Sequence, residues 1–241
     1  MLIKLIQWNV WYKEKPENIA GFLKKADADI VCAQELTRDS RINLDAAKYI
    51  AEELGFGYYY HDGDTWDNRP DKEAQGNAIF SRFPIISSSY FYVQNPKHNP
   101  PDHSHEGRIY IEVVAKINEK ELTIGTTHLS PSDRFIINAE RKDEIDILLN
   151  ILKERENNYI FTGDLNSLPN SYTVSQLEKI LLHSGPAYVQ TTKPRDRSSK
   201  ENESDWRIDY VYNSKDIHII DAKILDCPYS DHLPVQIKFE V

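Results

Sequence analysis

Hydrophobic positions along the chain follow two different periods, which separate predicted strands from predicted helices. Apolar runs and alternating apolar positions are typical of strands, whereas apolar residues three and four apart form one face of a helix. The strand pattern covers residues 2–8, 29–34, 58–61, 78–80, 85–93, 108–117, 122–127, 159–162, 208–212, 217–225 and 235–239. The helix pattern covers residues 16–26, 43–54, 133–155 and 173–183. Polar stretches between them, among them 62–75 and 184–205, are predicted to be loops.

The order of these elements predicts an α/β fold. Between residues 77 and 127 strands follow one another without a helix, so strictly alternating strand–helix–strand units are absent there. The simplest packing of such elements places two sheets face to face with helices on their outer sides. Neither an internal repeat nor a linker of distinct composition interrupts the pattern, so we expect one domain over residues 1–241.

Composition and charge narrow the class of protein. Of the 241 residues, 40% are hydrophobic and 28% are charged, which is ordinary for a soluble globular protein. The net charge of -9 argues against a surface coated with basic residues for binding duplex nucleic acid. A local basic groove is compatible with it.

The cysteines and the N-terminus bear on location. Cys32 lies in an apolar run and Cys227 precedes a proline, so the pair suggests neither a disulfide framework nor a zinc site. The N-terminal "MLIKLIQWNV" lacks a signal-peptide cleavage site, and no apolar run approaches the length of a membrane span. We therefore expect a cytoplasmic, reduced protein without a transmembrane segment, and we expect a monomer.

Polar residues stand repeatedly where a predicted strand ends or begins. They are Asn9, Glu35, His128, Asp164, Asn166, Asp209, Asp231 and His232. Each alone has a structural explanation: Asp164 and Asn166 suit a turn. Glu35 can pair with Arg38, and His128 can be a hydrogen-bonded core histidine. Jointly they favour a site, because apolar strands that end on polar groups place those groups where desolvation is costly.

Strand ends at a common rim of the sandwich can converge on one pocket. The set contains carboxylates, amides and imidazoles but no cysteine, and such an oxygen-rich set selects Mg²⁺ or Mn²⁺ over structural zinc. A hard metal beside amide and imidazole donors suits chemistry at phosphate oxygens. The chain contains neither G-x-G-x-x-G nor G-K-[ST], so the usual nucleotide-binding loops are missing.

Eight short motifs together resemble one known family. In chain order they are "QWNVW", "CAQE", "GNAIFSR", "HEGR", "TTHLS", "TGDLNSLP", "WRIDYVY" and "YSDHLPV". This ordered set runs from residue 7 to residue 235 and is similar to the endonuclease/exonuclease/phosphatase superfamily. That group includes deoxyribonuclease I, apurinic endonucleases, neutral sphingomyelinases and inositol polyphosphate 5-phosphatases. The resemblance implies a four-layered α/β sandwich and an Mg²⁺-dependent phosphoester hydrolase, with Mn²⁺ as a possible substitute.

The resemblance also implies a role for each matched residue. Asn9 and Glu35 match the family's first amide and its principal metal-binding glutamate, and Asp231 of the S-D-H motif matches a group near the metal. Asp164 matches the aspartate that orients or deprotonates water. Asn166 matches the asparagine that contacts phosphate.

The histidine matches distinguish branches of the family. Asp209 matches the aspartate that buttresses the last histidine, His232, which acts on the phosphate. His128 matches the T-H-L histidine of deoxyribonuclease-like, sphingomyelinase-like and tyrosyl-DNA phosphodiesterase-like members. Apurinic endonucleases lack that histidine and commonly carry an aspartate where this chain has Trp11. These departures argue against a specific apurinic-endonuclease assignment.

The substrate is less constrained than the chemistry. The candidate substrate-binding residues are Arg108 of "HEGR" and, in the loop that leads to Asp209, Lys193, Arg195 and Arg197, with Lys200 nearby. This loop could grip a phosphate backbone or a phosphorylated head group, or it could be a solvated segment.

Three functions stay open at this point. The leading hypothesis is a nuclease or other nucleic-acid phosphodiesterase. The second is a phosphatase or phosphodiesterase for a small or lipid-linked phosphate ester. A non-catalytic binding domain is disfavoured, because every matched catalytic position carries a competent side chain.

Overall fold

The structure, a computed structural model, describes residues 1–63, 73–96, 106–186, 189–192 and 206–241. Within these ranges the strands are β1 (Leu2–Asn9), β2 (Ile30–Asp39), β3 (Leu44–Asp45), β4 (Gly57–Asp62), β5 (Glu73–Ser81), β6 (Ile85–Gln94), β7 (Arg108–Ile117), β8 (Lys120–His128), β9 (Tyr159–Asp164), β10 (Leu182–His183), β11 (Asp209–Asn213), β12 (His218–Ile224) and β13 (Val235–Glu240). The helices are α1 (Pro16–Ala26), α2 (Ala46–Leu54), α3 (Ala139–Leu152) and α4 (Tyr172–Leu177), and a 3₁₀ turn spans Asp133–Phe135.

The strands form two mixed sheets. The first sheet has the order β12-β13-β1-β2-β5-β4, with β3 beside β2. The second has the order β10-β11-β9-β8-β7-β6. In each sheet one central pair is parallel, β1 with β2 and β8 with β9, and the other neighbours run antiparallel. This pattern fits a chain in which some strands are joined through helices and others by direct turns.

Alternation along β1 shows how the layers are held together. Successive side chains of a strand point to opposite faces. Ile3 and Leu5 belong to the core between the two sheets, whereas Ile6 and Trp8 pack in the cluster formed with α1 and α2. Because both faces are buried, the strand is apolar along most of its length.

The two helical layers lie on the outer faces of the sheets. Leu23 of α1 and Ile50 of α2 pack against the first sheet. Leu148 of α3 and Leu177 of α4 pack against Phe161 and its neighbours in the second sheet. The resulting order, helices, sheet, sheet, helices, confirms the expected four-layered α/β sandwich.

The long helix predicted over residues 133–155 is shorter in the structure. Arg134 and Phe135 have positive φ angles of 47° and 58°, which end the 3₁₀ turn before a helix can continue. Asn138 then caps α3, because its side chain accepts a hydrogen bond from the Arg141 backbone N–H at 2.8 Å. The apolar period alone could not locate this cap.

Two further elements differ from the predicted boundaries. The helix predicted over residues 173–183 ends at Leu177, and Leu182 and His183 instead pair with β11. The polar stretch predicted as a loop up to residue 75 contains the start of β5, which begins at Glu73. Within the part of the chain that the structure describes, no helix is both long and apolar enough to cross a membrane.

The sheet register brings the predicted polar positions to one edge. In the parallel pair β1/β2, Asn9 lies opposite Gln34, next to Glu35. In the parallel pair β8/β9, His128 lies opposite Asp164. The carboxyl ends of parallel strands meet at the same edge of a sheet, so each sheet contributes its own polar end to the rim of the sandwich.

Candidate active site

Asp164 lies at the centre of a hydrogen-bonded group at this rim. The Asn9 amide nitrogen Nδ2 donates to Asp164 Oδ2 at 3.0 Å and to Glu35 Oε1 at 2.9 Å. The Nε2 atoms of His128 and His232 lie 3.6 Å and 3.7 Å from the same Asp164 Oδ2. The structure therefore brings together residues from both sheets that are far apart in sequence.

Glu35 is directed into the site by an irregularity in β2. The pairing of β2 with β5 shifts register between Ala33 and Leu36, and Glu35 has a φ of 61°. A non-glycine residue in this conformation is strained and persists only where its surroundings fix it. Here the two carboxylate oxygens accept from Asn9 Nδ2 and from the Tyr12 backbone N–H at 3.1 Å.

Asn166 holds the loop after β9 against the end of β8. It adopts a left-handed φ of 44°, which asparagine tolerates better than most residues. Its backbone N–H donates to Asp164 Oδ1 at 2.9 Å, and its Nδ2 donates to the Leu129 carbonyl at 2.9 Å. The Nδ2 atom also lies 3.2 Å from His128 Nε2. The segment from Asp164 to Asn166 therefore forms the turn that these residue types suggest and is also part of the candidate site.

Asp209 and His232 form a buried pair. His232 Nδ1 donates to Asp209 Oδ2 at 2.8 Å, and the Ser230 hydroxyl fixes the backbone by accepting from His232 N–H at 3.0 Å. Burial lowers the pKa of His232, but Asp209 and Asp164 more than offset this effect and raise it to about 10. The imidazole is therefore positively charged at neutral pH.

In contrast to His232, Asp164 and His128 have pKa values that are shifted in favour of their neutral forms. Burial and the nearby Asp209 carboxylate raise the pKa of Asp164 to about 7, against the opposing effects of His232 and the hydrogen bonds from Asn9 and Asn166. Burial and the positive charges of Arg108 and His232 lower the pKa of His128 well below its usual value. At neutral pH the site thus combines a neutral imidazole, an imidazolium and a carboxyl group poised to change its protonation state.

Asp231 is connected to the other site residues through its neighbour Ser230. The Ser230 hydroxyl donates to the Asn9 carbonyl at 2.8 Å and lies 3.4 Å from Asp231 Oδ1. The Asp231 carboxylate also contributes to the raised pKa of His232. These contacts connect Asp231, through Ser230, to Asn9 of β1, whose side chain donates to Glu35.

Arg108 lines a small cleft next to Glu35 and His128. Its guanidinium pairs with Glu106 at 3.0 Å, while its buried Nε has no hydrogen-bond partner. Glycine backbones close the cleft, because a Cβ at Gly107 would clash with the Gly63 carbonyl oxygen. Because Arg108 lines the cleft, its positive charge suits an anionic group of a substrate.

The predicted basic residues Lys193, Arg195, Arg197 and Lys200 lie outside the described residues. The two ends of their segment are described, and both lie at the site. Thr192 forms a β-bridge with His232, and the Thr192 backbone N–H donates to the Trp206 carbonyl at 3.0 Å. Thr192 therefore lies beside His232, and Trp206 lies beside Thr192.

Several residues that complete the site belong to no motif that assigns them a role. Gln34 Nε2 donates to Gln7 Oε1 at 3.0 Å and to Thr126 Oγ1 at 2.8 Å, which joins the two sheets beneath Asp209. The available signal was a glutamine within each of two strands that are otherwise apolar. Trp206 and Phe135 form an edge-to-face pair with ring centroids 4.7 Å apart. No sequence period could have paired these two rings, because they come from separate loops.

The carboxylates fit a hard divalent cation, and their surroundings indicate where it would bind. Within the described residues, Asp164, Asp209 and His232 form the group whose ligand atoms lie within 4.8 Å of one another. A protonated His232 has no free lone pair and repels a cation, so this group is better described as an ion-paired cluster. The two carboxylate oxygens of Glu35 accept hydrogen bonds from N–H donors, and each oxygen retains a lone pair for a cation. Glu35, with Asp231, is the better candidate for the metal.

Comparison with known proteins agrees with this chemistry. The model of the Endonuclease/Exonuclease/phosphatase family matches residues 6–232. A search of the curated proteins finds no match.

Solved structures share the fold at low sequence identity. An endonuclease/exonuclease/phosphatase from Beutenbergia cavernae is 19% identical, with a TM-score of 0.78 over 100% of this chain and 72% of that chain. A mannosyl-6-phosphatase from Bacteroides thetaiotaomicron is 20% identical, with a TM-score of 0.71 over 99% of this chain and 100% of that chain. The catalytic domain of human Nocturnin with a bound sulfate anion is 19% identical, with a TM-score of 0.68 over 99% of this chain and 94% of that chain.

Proposed function

We propose, from the premise that the chain belongs to the endonuclease/exonuclease/phosphatase family and is a phosphoric ester hydrolase, that it cleaves phosphodiester bonds of nucleic acid with Mg²⁺ or Mn²⁺. The observation that carries the proposal is the buried Asp209–His232 pair beside Asp164 and Glu35. It combines a fixed positive charge, a proton acceptor and a metal-binding carboxylate within one small group.

The proposed reaction is an in-line attack of water on phosphorus. Asp164, with its pKa near neutral, accepts the proton of the attacking water, because a general base works best when its pKa is close to the working pH. His232, held by Asp209, donates to a non-bridging phosphate oxygen as negative charge develops. Asn166 and the neutral His128 would also contact the phosphate, exchanging their mutual contact at 3.2 Å for hydrogen bonds to it.

A divalent cation on Glu35 and Asp231 would neutralise charge on the phosphate and on the leaving oxygen. The protein residues then mainly position the reacting groups, since phosphoryl transfer requires little covalent work of the protein. Mg²⁺ and Mn²⁺ suit this role because the proposed ligands are oxygens.

Two features support a nucleic-acid substrate. The basic residues Lys193, Arg195 and Arg197 follow Thr192 closely in the sequence, and Thr192 pairs with His232. Trp206 is 37% exposed, and its backbone N–H donates to Thr192, the residue that pairs with His232. Tyr12 is 42% exposed, and its backbone N–H donates to Glu35. Exposed aromatic rings beside cationic side chains are typical of sites that bind single-stranded nucleic acid.

One observation favours a second candidate, a phosphatase for a small phosphate ester. The Arg108 cleft is narrow and is closed by the backbones of Gly63, Gly76 and Gly107. Such a cleft suits a single phosphate group better than a polymer. The mannosyl-6-phosphatase among the structural neighbours supports this alternative by its name alone.

The experiment compares substrates and one loop variant. EDTA-treated protein with added Mg²⁺ is assayed on single- and double-stranded DNA, on RNA and on sugar phosphates. A variant with Lys193, Arg195, Arg197 and Lys200 changed to alanine is assayed beside it, with an exposed-lysine variant far from the site, Lys120→Ala, as control. Wild-type protein should cleave a nucleic acid, and the loop variant should bind it less tightly at low salt, with a smaller difference at high salt.

The loss in the loop variant should appear in KM rather than in kcat, because the loop would contribute uniform binding of a polyanion. If the loop variant equals wild type on oligonucleotides at low salt, the nucleic-acid proposal loses its support. If the protein hydrolyses sugar phosphates but no nucleic acid, the second candidate, a phosphatase for a small phosphate ester, replaces the nucleic-acid proposal.

A further inference from the structure

Helix α3 carries a buried ion pair that faces the loops of the site. Arg141 and Glu144 are three residues apart and so lie on one face of the helix. Their side chains are 3% and 1% exposed, and Arg141 Nε lies 3.1 Å from Glu144 Oε2. Neither residue has a role in the proposed reaction, so the presence of a buried ion pair here needs a separate explanation.

Arg141 holds the loop after β9. Its Nη1 donates to the Leu165 carbonyl at 2.6 Å and to the Ser167 hydroxyl at 3.1 Å. These two residues flank Asn166, whose left-handed backbone needs support from its surroundings. Arg141 therefore fixes the backbone on both sides of a predicted phosphate-binding side chain.

Glu144 holds the loop after β8. Its Oε1 accepts from the Ser130 backbone N–H at 3.2 Å and from the Ser130 hydroxyl at 2.6 Å. Ser130 follows Leu129, whose N–H donates to the Asp164 carbonyl at 3.0 Å. One ion pair on one helix thus reaches the loops that carry both His128 and Asn166.

The pair is poorly built for stability. Arg141 Nε and Glu144 Oε2 are 3.1 Å apart but are not aligned as a hydrogen bond, and the buried Arg141 Nη2 has no hydrogen-bond partner among the described residues. A buried ion pair with unsatisfied atoms rarely stabilises a fold more than apolar residues of the same volume. Its contacts with the two loops are therefore the more direct reason for it.

We infer that Arg141 and Glu144 are positioning residues of the active site, which clamp the loops after β8 and β9 so that His128, Asp164 and Asn166 keep their mutual geometry. The inference rests on the proposed function in one respect, because that function defines the reaction in which the positioned residues take part. Misplacement of catalytic groups by about 1 Å lowers turnover on the order of a hundredfold.

The test uses the double variant R141M/E144M, because replacing both partners of a buried ion pair with apolar residues tends to preserve the fold. With bis(p-nitrophenyl) phosphate and Mg²⁺, kcat should fall between about tenfold and a hundredfold while KM changes little. Glu112→Gln, which perturbs an ion pair away from these loops, is the control and should keep kcat. The single variant Arg141→Lys keeps the positive charge but not the forked hydrogen bonds. Its kcat should lie between the values of wild type and the double variant.

Amide hydrogen exchange provides a readout that does not depend on catalysis. The backbone N–H groups of Leu129 and Leu165 should exchange at least about tenfold faster in the folded double variant, whereas amides of β1 should be unchanged. Unchanged exchange and unchanged kcat in the double variant would overturn the inference. If wild-type protein hydrolyses no phosphodiester but exchange at the two loops rises as expected, the proposed function fails and the clamp stands.

Discussion

At the scale of single residues, burial decides what each polar group can do. Asp164, Asp209 and His232 are each less than about a tenth exposed, so their charges act on one another with little screening by water. Asp209 lies within hydrogen-bond distance of His232 and keeps it charged. Asp164 lies further away, at 3.7 Å, and is the carboxylate left to accept a proton.

A double-mutant cycle tests this division of roles. Asp209→Asn should lower kcat by about a hundredfold or more, because the amide neither holds the charge of His232 nor fixes its orientation. His232→Ala should be at least as severe. Since Asp209 acts through His232, adding Asp209→Asn to the His232→Ala variant should cause no further loss. Steady-state kinetics of the four proteins measure this, and additive losses would show that Asp209 has an independent role.

At the scale of elements, the sequence predicted more of the site than of the boundaries around it. The polar residues at the ends of β1, β8 and β9 were visible as interruptions of apolar runs, and their motifs named the family. The break before α3 was not visible, because the left-handed residues Arg134 and Phe135 occur within an otherwise plausible helical pattern. The bulge that directs Glu35 was also hidden, since it depends on the pairing of β2 with β5.

Contacts between elements explain the rest of what the sequence could not give. Gln7 and Gln34 are polar positions in apolar strands, and their role becomes visible only when the second sheet supplies Thr126 and Asp209. The role of Arg141 likewise depends on its contacts with Leu165 and Ser167 in the loop after β9, which no local pattern in the sequence indicates. Partners distant in sequence leave no local pattern.

The ion pair between Glu112 of β7 and Arg155, three residues after the end of α3, gives the protein a pH-dependent stability. Arg155 donates to both carboxylate oxygens of Glu112, at 2.7 Å and 3.0 Å. Burial raises the pKa of Glu112, but the bonds from Arg155 and Tyr110 outweigh it and leave the pKa lowered. A lowered folded-state pKa stabilises the protein above the unfolded value of about 4.3, and this stabilisation is lost as the pH falls through the folded-state pKa.

Glu112→Gln should therefore lower the free energy of unfolding by about 2 kcal/mol at pH 7, with a smaller difference from wild type as the pH falls below about 4. Urea unfolding at both pH values measures the change. Glu154→Gln is the matched control, because Glu154 approaches the same arginine at 3.9 Å but is 79% exposed and should matter little. A difference for Glu112→Gln that is constant across this pH range would contradict the assignment.

At the scale of the whole molecule, the site exists only where the two sheets meet. Asn9, Glu35 and the segment before β13 come from the first sheet, and His128, Asp164 and Asp209 come from the second. The chain carries a net charge of -9, so attraction for a phosphate has to come from local groups such as His232, Arg108 and the proposed cation. The account therefore depends most on where that cation binds.

The most direct test is a crystal structure of the protein soaked with Mn²⁺, with anomalous scattering used to locate the metal. The account predicts a peak coordinated by the carboxylates of Glu35 and Asp231, with the Asp209–His232 hydrogen bond intact. In a Glu35→Gln crystal soaked in the same way, the peak should be lost or strongly reduced. A metal coordinated by Asp209 and His232, or no bound metal in crystals of a protein that still hydrolyses phosphodiesters after EDTA treatment, would contradict it.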